Sequence, residues 1–356
     1  MSENEKVMTR NQHIDSMRGI AVLLVIIGHC WTFQEQFISK LILAFHMPLF
    51  FFIAGYLFNY TETYNRNSIS VIISKFNHLL IPYFAFEGIN VILSLIVRPH
   101  YGNLIHESVV IQSILLCLNT PEYEGISLRL CFLPAAFVSS IYLLLICKLK
   151  KYYAINIRNF YLYVAFAAFG FEFFFSKVIF QRLPFTMDIS IMATAYMLLG
   201  FSFKNHIDVI GCFQKWKAYG VGLIAFGILL ICTKLNSGYF KMFLNSYGSF
   251  GFAVIGSIAG IIVIFELVYC FDIKNRFLIW LGENSLVIFP LHLEILFFLR
   301  WMVEDYFPEN LWQYAFFIYF PICLICLFLL VTVIKKYCPV LIGKSKIGFH
   351  SFQKYR

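Results

Sequence analysis

The chain has 356 residues, of which 60% are hydrophobic, 19% aromatic and only 13% charged, with a formal net charge of +9. A soluble domain carries about 25% charged residues, so these charges are too few to cover a water-facing surface. Composition therefore excludes a soluble enzyme and points to an all-α, polytopic integral membrane protein, because the apolar runs lack the short alternation of outer-membrane strands.

The first apolar run follows a polar tail and reads D-S-M-R-G-I-A-V-L-L-V-I-I-G-H over residues 15–29. Arg18 and His29 are eleven residues apart, about three helical turns, so both lie on one helix face roughly 16 Å apart along the axis. This sets a cation at a membrane edge in line with an imidazole inside the bilayer. The run is too long for a cleavable signal peptide and continues into a second span.

Apolar spans are predicted at roughly 17–35, 41–59, 79–97, 131–147, 160–178, 187–203, 218–234, 250–270, 284–301 and 313–334. The stretch 104–118 is short and interrupted, and is expected to be interfacial or re-entrant. With the N-terminus inside, 20 of the 28 Lys and Arg residues fall on the cytoplasmic side, including Lys148, Lys150, Lys151, Lys335 and Lys336. That asymmetry predicts about ten transmembrane helices with both termini cytoplasmic. No polar linker or internal repeat interrupts the chain, so residues 1–356 read as a single transmembrane domain.

Ionisable groups within spans are costly and mark functional candidates. His29 is expected just past the bilayer midplane. His46, in F-H-M-P-L-F-F-F-I-A-G-Y, is predicted beside it, since a short connection makes the first two spans antiparallel neighbours. Pro48 removes a backbone donor there and favours a kink. Lys75 and His78 precede the predicted third span on the cytoplasmic side, as helix anchors or as point charges for a phosphate. His292 follows N-S-L-V-I-F-P-L, with Asn284 or Ser285 as the expected helix cap. Glu87, Glu172, Glu266 and Glu294 lie within other spans, and Asp188 opens the sixth. Most of the ten cysteines lie in apolar runs and read as small buried hydrophobes, Cys323 and Cys326 included. No G-x-S-x-G, Walker loop or H-E-x-x-H occurs, and the basic loops suit a membrane surface rather than nucleic acid.

Four segments resemble the acyltransferase-3 family of bacterial membrane acyltransferases, and within it the fucose 4-O-acetylase-like sugar O-acetyltransferases. They are H-I-D-S-M-R-G-I-A-V-L-L-V-I-I-G-H at 13–29, F-H-M-P-L-F-F-F-I-A-G-Y-L-F at 45–58, P-F-T-M-D-I-S-I-M-A-T-A-Y-M-L-L-G at 184–200 and L-G-E-N-S-L-V-I-F-P-L-H at 281–292. Two motifs depart from the family pattern. Lys75 and His78 stand where an R-x-x-R pair is usual, and L-C-F-L replaces L-W-F-L, with Cys131 in the tryptophan position.

The resemblance implies transfer of an acetyl group from acetyl-CoA, as substrate rather than bound cofactor, to a hydroxyl of a bacterial surface polysaccharide or its lipid-linked precursor. It implies residence in the bacterial inner membrane, with no metal required. His29 and Arg18 are then the expected catalytic pair. A base must take the proton of a weakly nucleophilic sugar hydroxyl, and a cation at the cytoplasmic mouth suits the CoA phosphates. His46, Lys75, His78 and His292 are the expected substrate- and donor-binding residues, and a covalent acyl-histidine is an alternative route. A transporter or flippase for a lipid-linked or acylated glycan would use the same polar groups as a permeation path.

Overall fold

The structure, a computed structural model, describes residues 11–30, 37–59, 67–89, 132–157, 159–178, 183–204, 215–306, 308, 314 and 316–342. The 98–130 connection, with the 104–118 stretch inside it, and Cys131 lie outside the described residues. The described elements are helices: α1 Gln12–His29, α2 Phe37–Tyr56, α3 Ser68–Ile89, α4 Phe132–Tyr152, α5 Phe160–Val178, α6 Met187–Lys204, α7 Lys215–Leu235, α8 Phe250–Cys270, α9 Arg276–Glu283, α10 Ser285–Tyr306 and α11 Phe316–Tyr337. Among the described residues, seven helices are long and apolar enough to cross a membrane, or eight when the bent pair α9–α10 counts as one span.

Local chemistry sets several boundaries differently from the hydropathy reading. Helix α1 begins at Gln12, not near residue 17, because the Asn11 side chain accepts from the backbone N–H of His13 (3.1 Å) and Ile14 (3.4 Å). It ends at His29. Helix α3 likewise begins at Ser68, capped by Asn67, and runs unbroken to 89. Lys75 and His78 therefore lie within the helix rather than ahead of it. The polar residues of 68–78 dilute hydropathy, but no Gly or Pro lies among them to stop the helix, and Pro82 comes only later. Within it, Phe76–Leu80 widens to a π-turn that spans His78.

The predicted span at 284–301 is α10, and the short helix α9 leads into its start. Helix α9 turns through 88° into α10 at Asn284. The Asn284 side chain donates to the Trp280 carbonyl (2.6 Å), closing α9, while its own carbonyl accepts from Val287 (2.9 Å) and Ile288 (3.0 Å) to open α10. One residue thus caps both helices, the second through its backbone instead of its side chain.

Glycines bring the helices into backbone contact, as membrane interfaces favour. A Cβ at Gly19 would meet the Leu278 backbone of α9, and one at Gly282 would meet the Asp15 backbone of α1. Gly55 of α2 and Gly200 of α6 interlock similarly, against Met197 and Phe52, and Gly260 of α8 seats the Phe45 ring. At the end of α8, Asp272 pairs with His13 and with Lys274, each at 2.7 Å, and the His13 ring stacks on Tyr269 at 4.6 Å. These contacts tie the start of α1 to the α8–α9 turn.

Candidate active site

The site is built on α1 and α10. Gly19 and Gly282 bring the two chain segments together at the α9–α10 bend. Ten residues further along each, the His29 and His292 rings meet, with centroids 5.3 Å apart and planes tilted by 49°. The two paths thus run in the same sense from one glycine contact to one imidazole contact. Pro290 lies in the first turns of α10, where it has no N–H to give the Leu286 carbonyl one turn back.

His292 is buried, at 1% exposure, and His29 is half-buried. The His292 Nδ1 lies 3.2 Å from the Ile288 carbonyl. A carbonyl only accepts, so in this bond Nδ1 carries the proton and the neutral ring presents Nε2 as a lone-pair nitrogen. On the other side of His292 stands an aromatic wall. Phe289 lies 5.7 Å from the His292 ring and 4.9 Å from Phe132, and Phe132 packs on Phe50 (5.5 Å) and Phe51 (5.1 Å). Such a wall limits water near the imidazoles and leaves their polar chemistry to the ring nitrogens and whatever enters.

The ring that meets His29 is thus His292, whereas His46 was the expected companion. His46 is buried and its Nδ1 donates to the Ile42 carbonyl at 2.9 Å. Gly28 faces the Ile42 side chain, so His46 sits about one turn, roughly 6 Å, further along the antiparallel α2. Arg18 is half-buried on α1, next to the Gly19 contact with α9. The structure thus keeps Arg18 and His29 on one helix and adds α9 and α10 alongside.

Lys75 and His78 stand on α3 rather than on α1 or α10. Helix α3 packs against α4, with Phe76 edge-on to Phe137 at 6.2 Å and Lys148 Nζ donating to Ser68 Oγ. Lys75 is half-buried and His78 exposed. A second polar group surrounds Asp188 and Glu172, both wholly buried, where the Tyr247 hydroxyl donates to Glu172 Oε1 at 3.0 Å. Tyr247 lies in the loop between α7 and α8, and burial with the neighbouring Glu172 carboxylate pushes its phenol well above the usual tyrosine range. Among the described residues, no group of three or more His, Cys, Asp or Glu side chains could hold a metal ion.

Sequence reasoning missed Gly19, Gly282, Phe132 and Phe289 as site-building residues. The glycines did leave a signal, since a helix-interior Gly costs about 1 kcal/mol against Ala and so marks a close approach. Phe132 and Phe289 left none, because the chain has 42 phenylalanines.

No curated protein and no solved structure matches the chain. A family model does: that of the acyltransferase-3 acyltransferase domain matches residues 11–335, nearly the whole chain and all the candidate site residues. The chain with paired imidazoles at the junction of α1 and α10 belongs to the acyltransferase-3 family of membrane acyltransferases.

Proposed function

We propose that this acyltransferase moves an acetyl group from cytoplasmic acetyl-CoA to a sugar hydroxyl, in the manner of the fucose 4-O-acetylase-like enzymes it resembles. The acceptor is a surface polysaccharide or its lipid-linked precursor. The reading includes about ten spans of a bacterial inner membrane and cytoplasmic termini. The observation that carries it is the meeting of His29, on the helix that also bears Arg18, with His292 of α10.

In this mechanism His29 takes the hydroxyl proton as the oxygen attacks the thioester carbon. A C–O bond forms and the C–S bond breaks. The proton held on His29 passes to the leaving thiolate, so the products are the acetyl ester and free CoA thiol. Arg18 holds the CoA phosphates as a guanidinium fork at the cytoplasmic mouth. The pantetheine arm spans the roughly 16 Å of helix between Arg18 and His29. Family membership supports the group-transfer class, and the shared helix supports the division of labour.

Purified protein in nanodiscs, given radiolabelled acetyl-CoA and a panel of glycans and lipid-linked sugars, tests this reading. Thiol release with label in an acceptor is expected. Movement of a glycan across liposomes without thioester consumption would replace the enzyme by a transporter.

A further inference from the structure

We propose that Phe50, Phe51, Phe132 and Phe289 set the length of the acyl group that the enzyme accepts, closing the site to groups longer than acetyl. The inference rests on the acyl-transfer reading above and deepens it by naming which donors react. The four rings form one connected cluster. Phe132 lies 4.9 Å from Phe289, 5.5 Å from Phe50 and 5.1 Å from Phe51, and Phe50 lies 6.1 Å from Phe289. Aromatic rings in contact have centroids about 4.5–7 Å apart, so no chain runs between these rings without displacing one. Their side chains come from three helices, α2, α4 and α10, and Phe50, Phe51 and Phe289 are buried.

The cluster begins beside the imidazoles. Phe289 packs edge-on to His292 at 5.7 Å, and His292 meets His29 at 5.3 Å. Three parts of the substrates converge on His29: a sugar hydroxyl, the thioester and the acyl tail. A sugar needs hydrogen-bond partners for its hydroxyls and the CoA phosphates need cations, and four phenylalanines offer neither. The acyl tail is the one wholly apolar part, so it alone meets the rings with no polar group to desolvate. Acetyl ends at the carbon next to the thioester carbonyl. Each further methylene pushes against buried rings that are held by their neighbours, and overpacking of that kind forces side chains off their rotamers. One methylene more or less in an apolar pocket changes kcat/KM about 10–200-fold, enough to select against propionyl and butyryl donors. Phe132 touches all three other rings, so trimming it frees the most space.

The test is kcat/KM for acetyl-, propionyl- and butyryl-CoA, read as thiol release in nanodiscs with the glycan labelled in the panel above as acceptor. In the wild type it is expected to fall about tenfold or more with each added methylene. Phe132→Ala should raise the butyryl-to-acetyl ratio about tenfold or more, and Phe132→Leu should raise it less. The Leu form keeps most of the apolar volume and carries the same test if the Ala form fails to fold. Phe169→Leu is the control, a buried ring on α5 that packs on Tyr196 at 5.1 Å, and should leave the ratio at its wild-type value. Equal use of acetyl and butyryl donors by the wild type, an unmoved ratio in a folded Phe132 variant, or the same shift in Phe169→Leu would overturn the proposal. So would a changed glycan KM with an unchanged donor ratio, which would give the wall to the acceptor. If none of the three donors loses its thiol with any glycan of the panel, the acyl-transfer reading itself fails, and the role of the wall falls with it.

Discussion

Gly19→Ala adds one methyl group where α1 meets α9. That methyl would stand 2.7 Å from the Leu278 carbonyl carbon and 2.9 Å from its Cα. Non-bonded carbons settle at about 3.5–4.0 Å, so the helices must part by about 1 Å. Two effects on stability oppose each other. Replacing a helical Gly by Ala gains about 1 kcal/mol in propensity, while overpacking against backbone costs about 1–3 kcal/mol. The net change is therefore a loss of up to about 2 kcal/mol. The effect on catalysis is larger, because α9 leads through the Asn284 bend into His292, and a misplacement of about 1 Å lowers turnover about 10²-fold. The assay is kcat for labelled acetyl transfer in nanodiscs, with Tm measured on the same sample. Gly227→Ala on α7, where nothing lies within 4 Å of the added Cβ, serves as the matched control and should keep wild-type activity. Wild-type kcat in Gly19→Ala, with Tm unchanged, would refute the claim that this contact positions the histidines.

Three other outcomes are expected. His29→Ala should abolish acylation while leaving the amount of protein in the membrane unchanged, as read by labelled product and immunoblot. Arg18→Ala should raise the acetyl-CoA KM with a smaller loss of kcat; unaltered donor saturation would reduce Arg18 to a helix anchor. At the α8–α9 turn, hydrogen bonds from Lys274 and His13 hold the Asp272 carboxyl below the ordinary aspartate value of 3.8. Its contribution to stability is therefore present above about pH 4 and lost as pH falls below that through the lowered value. Asp272→Asn should lower Tm slightly at pH 7, and the gap from wild type should close on acidification toward pH 3. A gap independent of pH would rule out the ion pair as its source.

Chain order and helix faces are local properties, and the residues state them directly. The spacing of Arg18 and His29 survives in the structure because a helix of 18 residues has one geometry. Expectations weakened where hydropathy stood in for hydrogen bonding. Polar residues at 68–78 hid the first turns of α3, so Lys75 and His78 were set outside a helix that contains them. The start of α10 is legible, since the span predicted from 284 has Asn284 or Ser285 as its cap; the short helix α9 ahead of it falls between predicted spans.

Depth estimates show the remaining limit. Counting helical rise from each predicted span start sets His292 roughly 10–12 Å from the cytoplasmic face and His29 about 18 Å from it. Those values set the two residues on different levels and left His46, joined by a short loop, as the natural companion. Each helix carries its own origin, however, and the offset between two helices is set by the contacts between them. Here the Gly19–Gly282 contact and the 88° bend supply that offset, and they bring His292 level with His29.

By itself, the sequence determined the membrane class, the helix that carries cation and imidazole together, and the family-like segments that contain them, because each is read from composition or from spacing within one element. The tertiary structure alone decided which imidazole faces His29, which nitrogen of His292 carries its proton, and which aromatic rings close the site. Those facts depend on helix offsets and rotations, which arise from close backbone contacts between residues more than two hundred positions apart.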